Sequence, residues 1–262
     1  MKYIDAHCHL QFDAYAEDRE EVITRMKEED IFGIVVGVDI KSSHAAILLA
    51  EKHENLFATV GIHPCYVGAQ ENKAQLLEDM VSHPKVVGIG ECGLDYFREE
   101  DFEKRKIQKE VFVEQVELAV RFKKPLMIHG RPSLGTQDTY HDLFEVLSEY
   151  KERVGDVLRG NIHFFVGGNE ERTAFEKINF TVLMTGVLTF TTDYDAVVAD
   201  ANPAMFLAET DSPLVAPKPH RGKRNSPLNV PLVYQRIAEI WNKDPEKVRE
   251  ILVGNTKRVF SL

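Results

Sequence analysis

The chain has 262 residues, enough for one large domain or two small ones, and with 44% hydrophobic and 28% charged residues and no low-complexity tract it is neither disordered nor fibrous. A net charge of −10 argues against counterion-driven binding to long nucleic acid, while leaving room for local cations or metal-mediated phosphate contacts. No apolar run approaches the ~20 residues of a bilayer span, and the N-terminus enters strand-like sequence without a basic segment and an apolar one after it, so a cytoplasmic protein without a membrane partner is expected.

In chain order, short β-rich runs alternate with longer helical ones. The predicted strands are Tyr3 to His9, Gly33 to Asp39, Phe57 to His63, Val86 to Glu91, Pro125 to His129, Gly160 to Phe165, Phe180 to Gly186 and Met205 to Thr210. Between the fourth and fifth, Phe112, Val116, Ala119 and Val120 recur at helical spacing among charged residues and give one apolar face. Helix starts are expected at Ser42 and Ser43 before Ala45, and at Asn169 before Glu170. Eight βα units without a Pro/Gly-rich linker predict a (β/α)8 TIM barrel, a single domain over residues 1–262 with extra C-terminal helices. The rival, an open doubly wound sheet, lacks its G-x-G-x-x-G. After the eighth strand, Ser212 to Pro231 holds five prolines and the cations Lys218, Arg221, Lys223 and Arg224 beside His220, and reads as a loop over the barrel mouth.

Five of ten histidines, His7, His9, His63, His129 and His163, fall at or just past the C-terminal end of a predicted strand, where barrel enzymes assemble their sites. His44, His53, His83 and His141 fall in helical stretches. Alternation along the first strand turns His7 and His9 to one side and Cys8 to the other, so the two imidazoles can meet on one metal ion. Cys8 and Cys92 are expected as buried packing residues, and the odd count of three cysteines suits a reducing compartment. Glu91 ends the fourth strand and Asp211 follows the eighth. Four histidines and two carboxylates exceed one tetrahedral ion and match two divalent ions sharing a carboxylate, with Glu91 as the bridge. His7 and His9, with Asp211 nearby, would hold one ion and His129 and His163 the other; Asp211 would take and deliver the proton of an attacking water. Nitrogen-rich ligation suits Zn²⁺ or Mn²⁺ better than Mg²⁺.

The motifs Asp5-Ala6-His7-Cys8-His9-Leu10, Gly61-Ile62-His63-Pro64, Ile89 to Tyr96, Pro125 to His129, His163 to Gly167, Glu209-Thr210-Asp211-Ser212-Pro213, Arg221 to Asn225 and Asn255 to Phe260 stand in an order that resembles the TatD-type metal-dependent deoxyribonucleases, within the amidohydrolase-like metallo-hydrolase barrels. The resemblance covers essentially the whole chain. It implies a two-metal site, His7, His9, Glu91 and Asp211 on one ion and Glu91, His129 and His163 on the other, and hydrolysis of phosphodiester bonds at DNA 3′ ends, single-stranded ends being the partner. His63, Arg131, Arg221, Lys223 and Arg224 are then the candidates for holding phosphates. Three departures bear on substrate choice. Cys65 stands where the family often has His, Gly130-Arg131-Pro132 where it has Ser-Arg-Asp or Ser-Arg-Glu, and Ser226-Pro227 where it has Glu-Pro. A metallo-hydrolase of a small amide or ester, and a non-catalytic metal- or nucleotide-binding protein, remain as alternatives. The pattern sets no oligomeric state, and a monomer satisfies it.

Overall fold

A computed structural model describes residues 1–68 and 74–262. The strands β1 (Tyr3–Cys8), β2 (Ile31–Val36), β3 (Leu56–Val60), β4 (Val86–Asp95), β5 (Leu126–Arg131), β6 (Gly160–His163), β7 (Phe180–Met184) and β8 (Phe206–Ala208) pair in sequence order, every neighbour parallel. Helices α1 (Arg19–Glu28), α2 (Ile40–Lys52), α3 (Glu78–Val81), α4 (Phe102–Phe122), α5 (Asp138–Val154), α6 (Asn169–Lys177) and α7 (Asp195–Ala199) lie between successive strands, and α8 (Val230–Trp241) and α9 (Pro245–Phe260) follow the last. This is the predicted TIM barrel.

The seam between β1 and β8 is closed beyond the end of β8. The Asp211 N–H donates to the His7 carbonyl at 3.0 Å, and the His9 N–H donates to the Ser212 carbonyl at 2.8 Å. Inside the barrel, Ile34, Val36, Val87, Met127, Leu183 and Leu207 form an apolar cluster joined by Val259 and Phe260 of α9. Met127 and Leu207 precede His129 and Glu209 by two residues, so the same inward faces that pack the core carry polar groups at their C-terminal ends. Leu126, Ile128, Phe206 and Ala208 turn outward to the helix-facing core.

Most strand ends differ from expectation by a few residues, β2 and β3 stopping at Val36 and Val60 rather than Asp39 and His63, and the ends of β4 and β8 bear most on the site. β4 runs four residues past Glu91, because Cys92, Gly93, Leu94 and Asp95 pair with Ile128 to Arg131 of β5. β8 stops at Ala208, where side-chain bonds replace the ladder: Thr210 donates its N–H to Asp5 Oδ1 at 2.8 Å and its hydroxyl to Asp5 Oδ2 at 2.5 Å. Helix starts are shifted too. Asp39 caps α2, with Ser42 as its reciprocal partner, and Gly168 precedes α6, its N–H taken by Glu171. His53 caps the end of α2 in an extended conformation and His83 lies in a turn, so only His44 and His141 of the four are helical.

The apolar face of α4 also carries two glutamines. Gln115 accepts the Ile62 N–H at 2.8 Å and donates to the Ile62 carbonyl at 3.0 Å. Two turns earlier, Gln108 accepts the Asp95 N–H at 2.9 Å and donates to the Asp95 carbonyl at 3.4 Å. Each amide stands in for a neighbouring strand just where β3 and β4 run out of partners. Gln115→Ala leaves both groups of Ile62 unpaired in a buried setting and is expected to cost about 2–4 kcal/mol, read from urea denaturation. A loss below about 1 kcal/mol would mean that water reaches Ile62.

Candidate metal centre

The barrel's C-terminal end gathers His7, His9, His63, Glu91, His129, His163 and Asp211 around one buried carboxylate. Glu91 Oε1 lies 2.9 Å from His163 Nε2, 3.2 Å from His129 Nδ1 and 3.3 Å from His63 Nε2. Glu91 Oε2 lies 3.4 Å from His7 Nε2 and 3.7 Å from His9 Nε2. Asp211 Oδ1 completes the second side, 3.5 Å from His9 Nε2 and 3.7 Å from His7 Nε2. The two oxygens of Glu91 thus divide the histidines into two groups. Glycines permit this closeness: a Cβ on Gly61 would strike the Gly90 backbone, and one on Gly93, where φ is +128°, would strike the His129 carbonyl oxygen.

The outward ring nitrogens decide which inward ones carry a free lone pair. His9 Nδ1 meets the Val36 carbonyl at 2.8 Å, an acceptor, so Nδ1 carries the proton and Nε2 is a bare lone pair. His129 Nε2 meets Asp95 Oδ2 at 3.1 Å and is likewise the donor, leaving Nδ1 bare toward Glu91. His7 Nδ1 and His163 Nδ1 face the two oxygens of Glu209 at 3.7 and 3.6 Å. These two nitrogens and Glu209 Oε2 are buried without a hydrogen bond. His63 is the opposite case. Its Nδ1 accepts the Cys65 N–H at 3.1 Å, so a neutral ring carries its proton on Nε2, facing Glu91. Three groups bring ligand atoms within 4.8 Å of one another, His7, His9 and Asp211; His7, Glu91 and His163; His63, Glu91 and His129. The tautomer of His63 sets it apart as a proton donor, whereas His9 and His129 present a bare nitrogen to the centre, and His7 and His163 turn Nε2 toward Glu91. The donor set of four imidazole nitrogens, Glu91 and Asp211 fits divalent ions.

The imidazoles and carboxylates of the centre also compensate one another's charge. Burial would raise the Glu91 carboxyl, but the charges of His163 and His63 and hydrogen bonds from His129 and His163 outweigh it and hold the group well below the carboxylate range. Burial lowers His163, yet Glu91 and Glu209 drive it well above the usual imidazole value. His7, pressed by burial and by His163, is pushed down to about 3. Glu91, and likewise Asp211, is thus held as an anion although buried.

Two residues that the motif reading passed over shape this centre. Glu209, fully buried, accepts the Phe164 N–H at 2.6 Å and faces two ring nitrogens; Asp95 orients His129. Their signal was present, since both acids lie inside the quoted motifs, but their facing depends on contacts across the barrel. The predicted phosphate-binding cations are divided. Arg131 lines the cavity of about 730 Å³ at the mouth, its guanidinium 3.9 Å from the Phe97 ring centroid. Arg98, not anticipated, lines it as well and pairs with Asp95 at 3.2 Å. Arg221, Lys223 and Arg224 do not line it: Arg224 is held bidentate by Asp18 at 2.8 and 2.5 Å, and Arg221 stacks on Phe190 at 3.5 Å. Cys8 and Cys92 are buried, their thiols facing carbonyls, while Cys65 is exposed at the rim beside Asp95 and Arg98.

The family model described as TatD related DNase matches residues 4–261. The chain belongs to the TatD family. It is 35% identical to the uncharacterized metal-dependent hydrolase YabD of Bacillus subtilis, covering 98% of each chain, and 28% identical to a protein of Pectobacterium parmentieri named 3'-5' ssDNA/RNA exonuclease TatD, covering 98% of this chain and 99% of that one. Its fold matches the crystal structure of YjjV, a TatD homologue from Escherichia coli, with a TM-score of 0.87 at 24% identity over 100% of this chain and 98% of the other. As a TatD family member the protein is a metal-dependent hydrolase, and the His/Glu/Asp clusters support divalent metal use. No helix among the described residues is long and apolar enough to cross a membrane.

Outward partners of ligand histidines usually account for about 10–100-fold in metal affinity. Glu209→Gln is therefore expected to weaken divalent-ion binding by that factor in competition with a chelator, the fold being checked by circular dichroism. Unchanged affinity would detach Glu209 from the centre.

Proposed function

We propose that this protein is a two-metal exonuclease that removes nucleotides from the 3′ end of single-stranded DNA. The observation that carries the reading is the division of Glu91: one oxygen faces His129 and His163, the other His7 and His9 with Asp211 alongside. His7, His9, Asp211 and Glu91 would hold one ion, Glu91, His129 and His163 the other, with Zn²⁺ or Mn²⁺ better suited to these nitrogens than Mg²⁺. Such a pair supplies charge neutralisation at the phosphoryl group and a water that deprotonates near neutral pH.

The chain's own groups do the rest. Asp211 accepts the proton as water oxygen attacks phosphorus, and returns it to the 3′ oxygen as the P–O bond breaks, leaving a shortened strand and a nucleoside 5′-phosphate. Asp211 is held for this by its own N–H on the His7 carbonyl, with φ at 51°, a left-handed conformation that a non-glycine residue adopts at a cost. His63, with its proton on Nε2, donates to a phosphoryl oxygen, and Arg131 and Arg98 supply positive charge at the mouth. The relative from Pectobacterium parmentieri supports a nucleic-acid substrate through its name. The basic run from Arg221 to Arg224 lies away from the cavity, which favours a substrate presenting few phosphates, a strand end or a small ester.

Protein stripped of metal and supplied separately with Zn²⁺, Mn²⁺ or Mg²⁺ is expected to shorten 5′-labelled single-stranded DNA, and Asp211→Asn to slow this by about 10²–10⁴-fold. No shortening with any ion, alongside hydrolysis of a small ester, would transfer the assignment to a small-molecule hydrolase.

A further inference from the structure

Folding leaves apolar side chains in water around the mouth of a polar centre. Eight large apolar residues are the most exposed among those described, and four of them, Tyr66, Phe97, Leu134 and Leu214, line this one cavity. Singly such residues are ordinary; gathered at one mouth they mark a ligand with an apolar face. Phe97 is the best defined. It follows β4, and the guanidinium of Arg131, 3.9 Å from its centroid, covers one ring face and fixes the ring, which is still 46% exposed. Arg98, its neighbour in sequence, is tied to Asp95 at 3.2 Å with its side chain 54% exposed. An available aromatic face flanked by two cations, beside a centre that holds metal ions, matches a ligand that is flat and aromatic at one point and anionic at the next.

Resting on the nuclease reading above, we propose that Phe97, backed by Arg131, is a stacking platform for the base of the terminal nucleotide. A terminal base in a duplex is held by its pair and by its inner neighbour, whereas an unpaired end is free to turn its base onto the ring, so the platform favours unpaired ends. It also reconciles a chain of net charge −10 with a nucleic-acid substrate. Affinity comes from stacking, which tolerates any base, rather than from counterion release, and the salt dependence of binding is correspondingly shallow.

The test uses the metal-loaded full chain and a short single strand with phosphorothioate linkages and a 3′-terminal 2-aminopurine, whose fluorescence is quenched on stacking. Wild type is expected to quench it. Phe97→Ala should weaken binding about tenfold, Phe97→Trp should restore it, and a strand whose terminal nucleotide is abasic should bind wild type and Phe97→Ala alike. Equal affinity of wild type and Phe97→Ala for the base-bearing strand would overturn the platform, as would an equal loss on the abasic strand. Both outcomes leave the nuclease reading intact provided wild type still shortens the unmodified strand. Failure of that shortening would refute the nuclease reading and the platform with it.

Discussion

Everything at the mouth of this barrel is arranged around the cost of burying Glu91. An isolated carboxylate there would be expelled or neutralised by desolvation. Five imidazoles from four strand ends instead face its two oxygens, and they hold it as an anion. The barrel makes this possible, because inward-facing residues of successive strands converge at one height without any long loop having to order itself. Cations brought to its two oxygens would meet a site already paid for by the fold.

Convergence alone would leave each imidazole free to choose a tautomer. The second layer limits that freedom: the Val36 carbonyl fixes His9, Asp95 fixes His129 and the Cys65 N–H fixes His63, while Glu209 faces His7 and His163 from just beyond hydrogen-bond distance. The same layer is itself held, Asp95 by Gln108 of α4 and Glu209 by the Phe164 N–H. For His129, position, proton location and backbone support form one chain of hydrogen bonds running from helix to strand end to ring nitrogen.

The strand-end histidines and Glu91 could be read from sequence because two local rules suffice, alternation along a strand and the placing of barrel sites at C-terminal ends. What escaped depends on residues far apart. Glu209 reaches Phe164 across 45 positions, His129 reaches Asp95 across 34, and Gln115 reaches Ile62 across 53. Gln115 is also a polar residue on a face that periodicity marks as apolar. The basic loop escaped for a related reason: a cluster of cations signals charge but not direction, and Arg224 is claimed by Asp18, 206 residues away. Strand ends moved where side chains replaced the ladder, as Asp5 does beneath Thr210.

The seam of the barrel joins the first strand to a last strand of only three residues, and its closing bonds use the backbones of His7, His9, Asp211 and Ser212. In the proposed centre, the side chains of three of these residues would share one ion. Binding would therefore be linked by mass action to the closing of the barrel: a ligand that prefers the closed ring stabilises it by RT ln(1 + [L]/Kd), about 4.1 kcal/mol at a thousandfold excess over Kd. The ends of the chain would then be fastened most firmly in the form that is ready to react, and an enzyme starved of metal would lose shape along the same line where it loses activity.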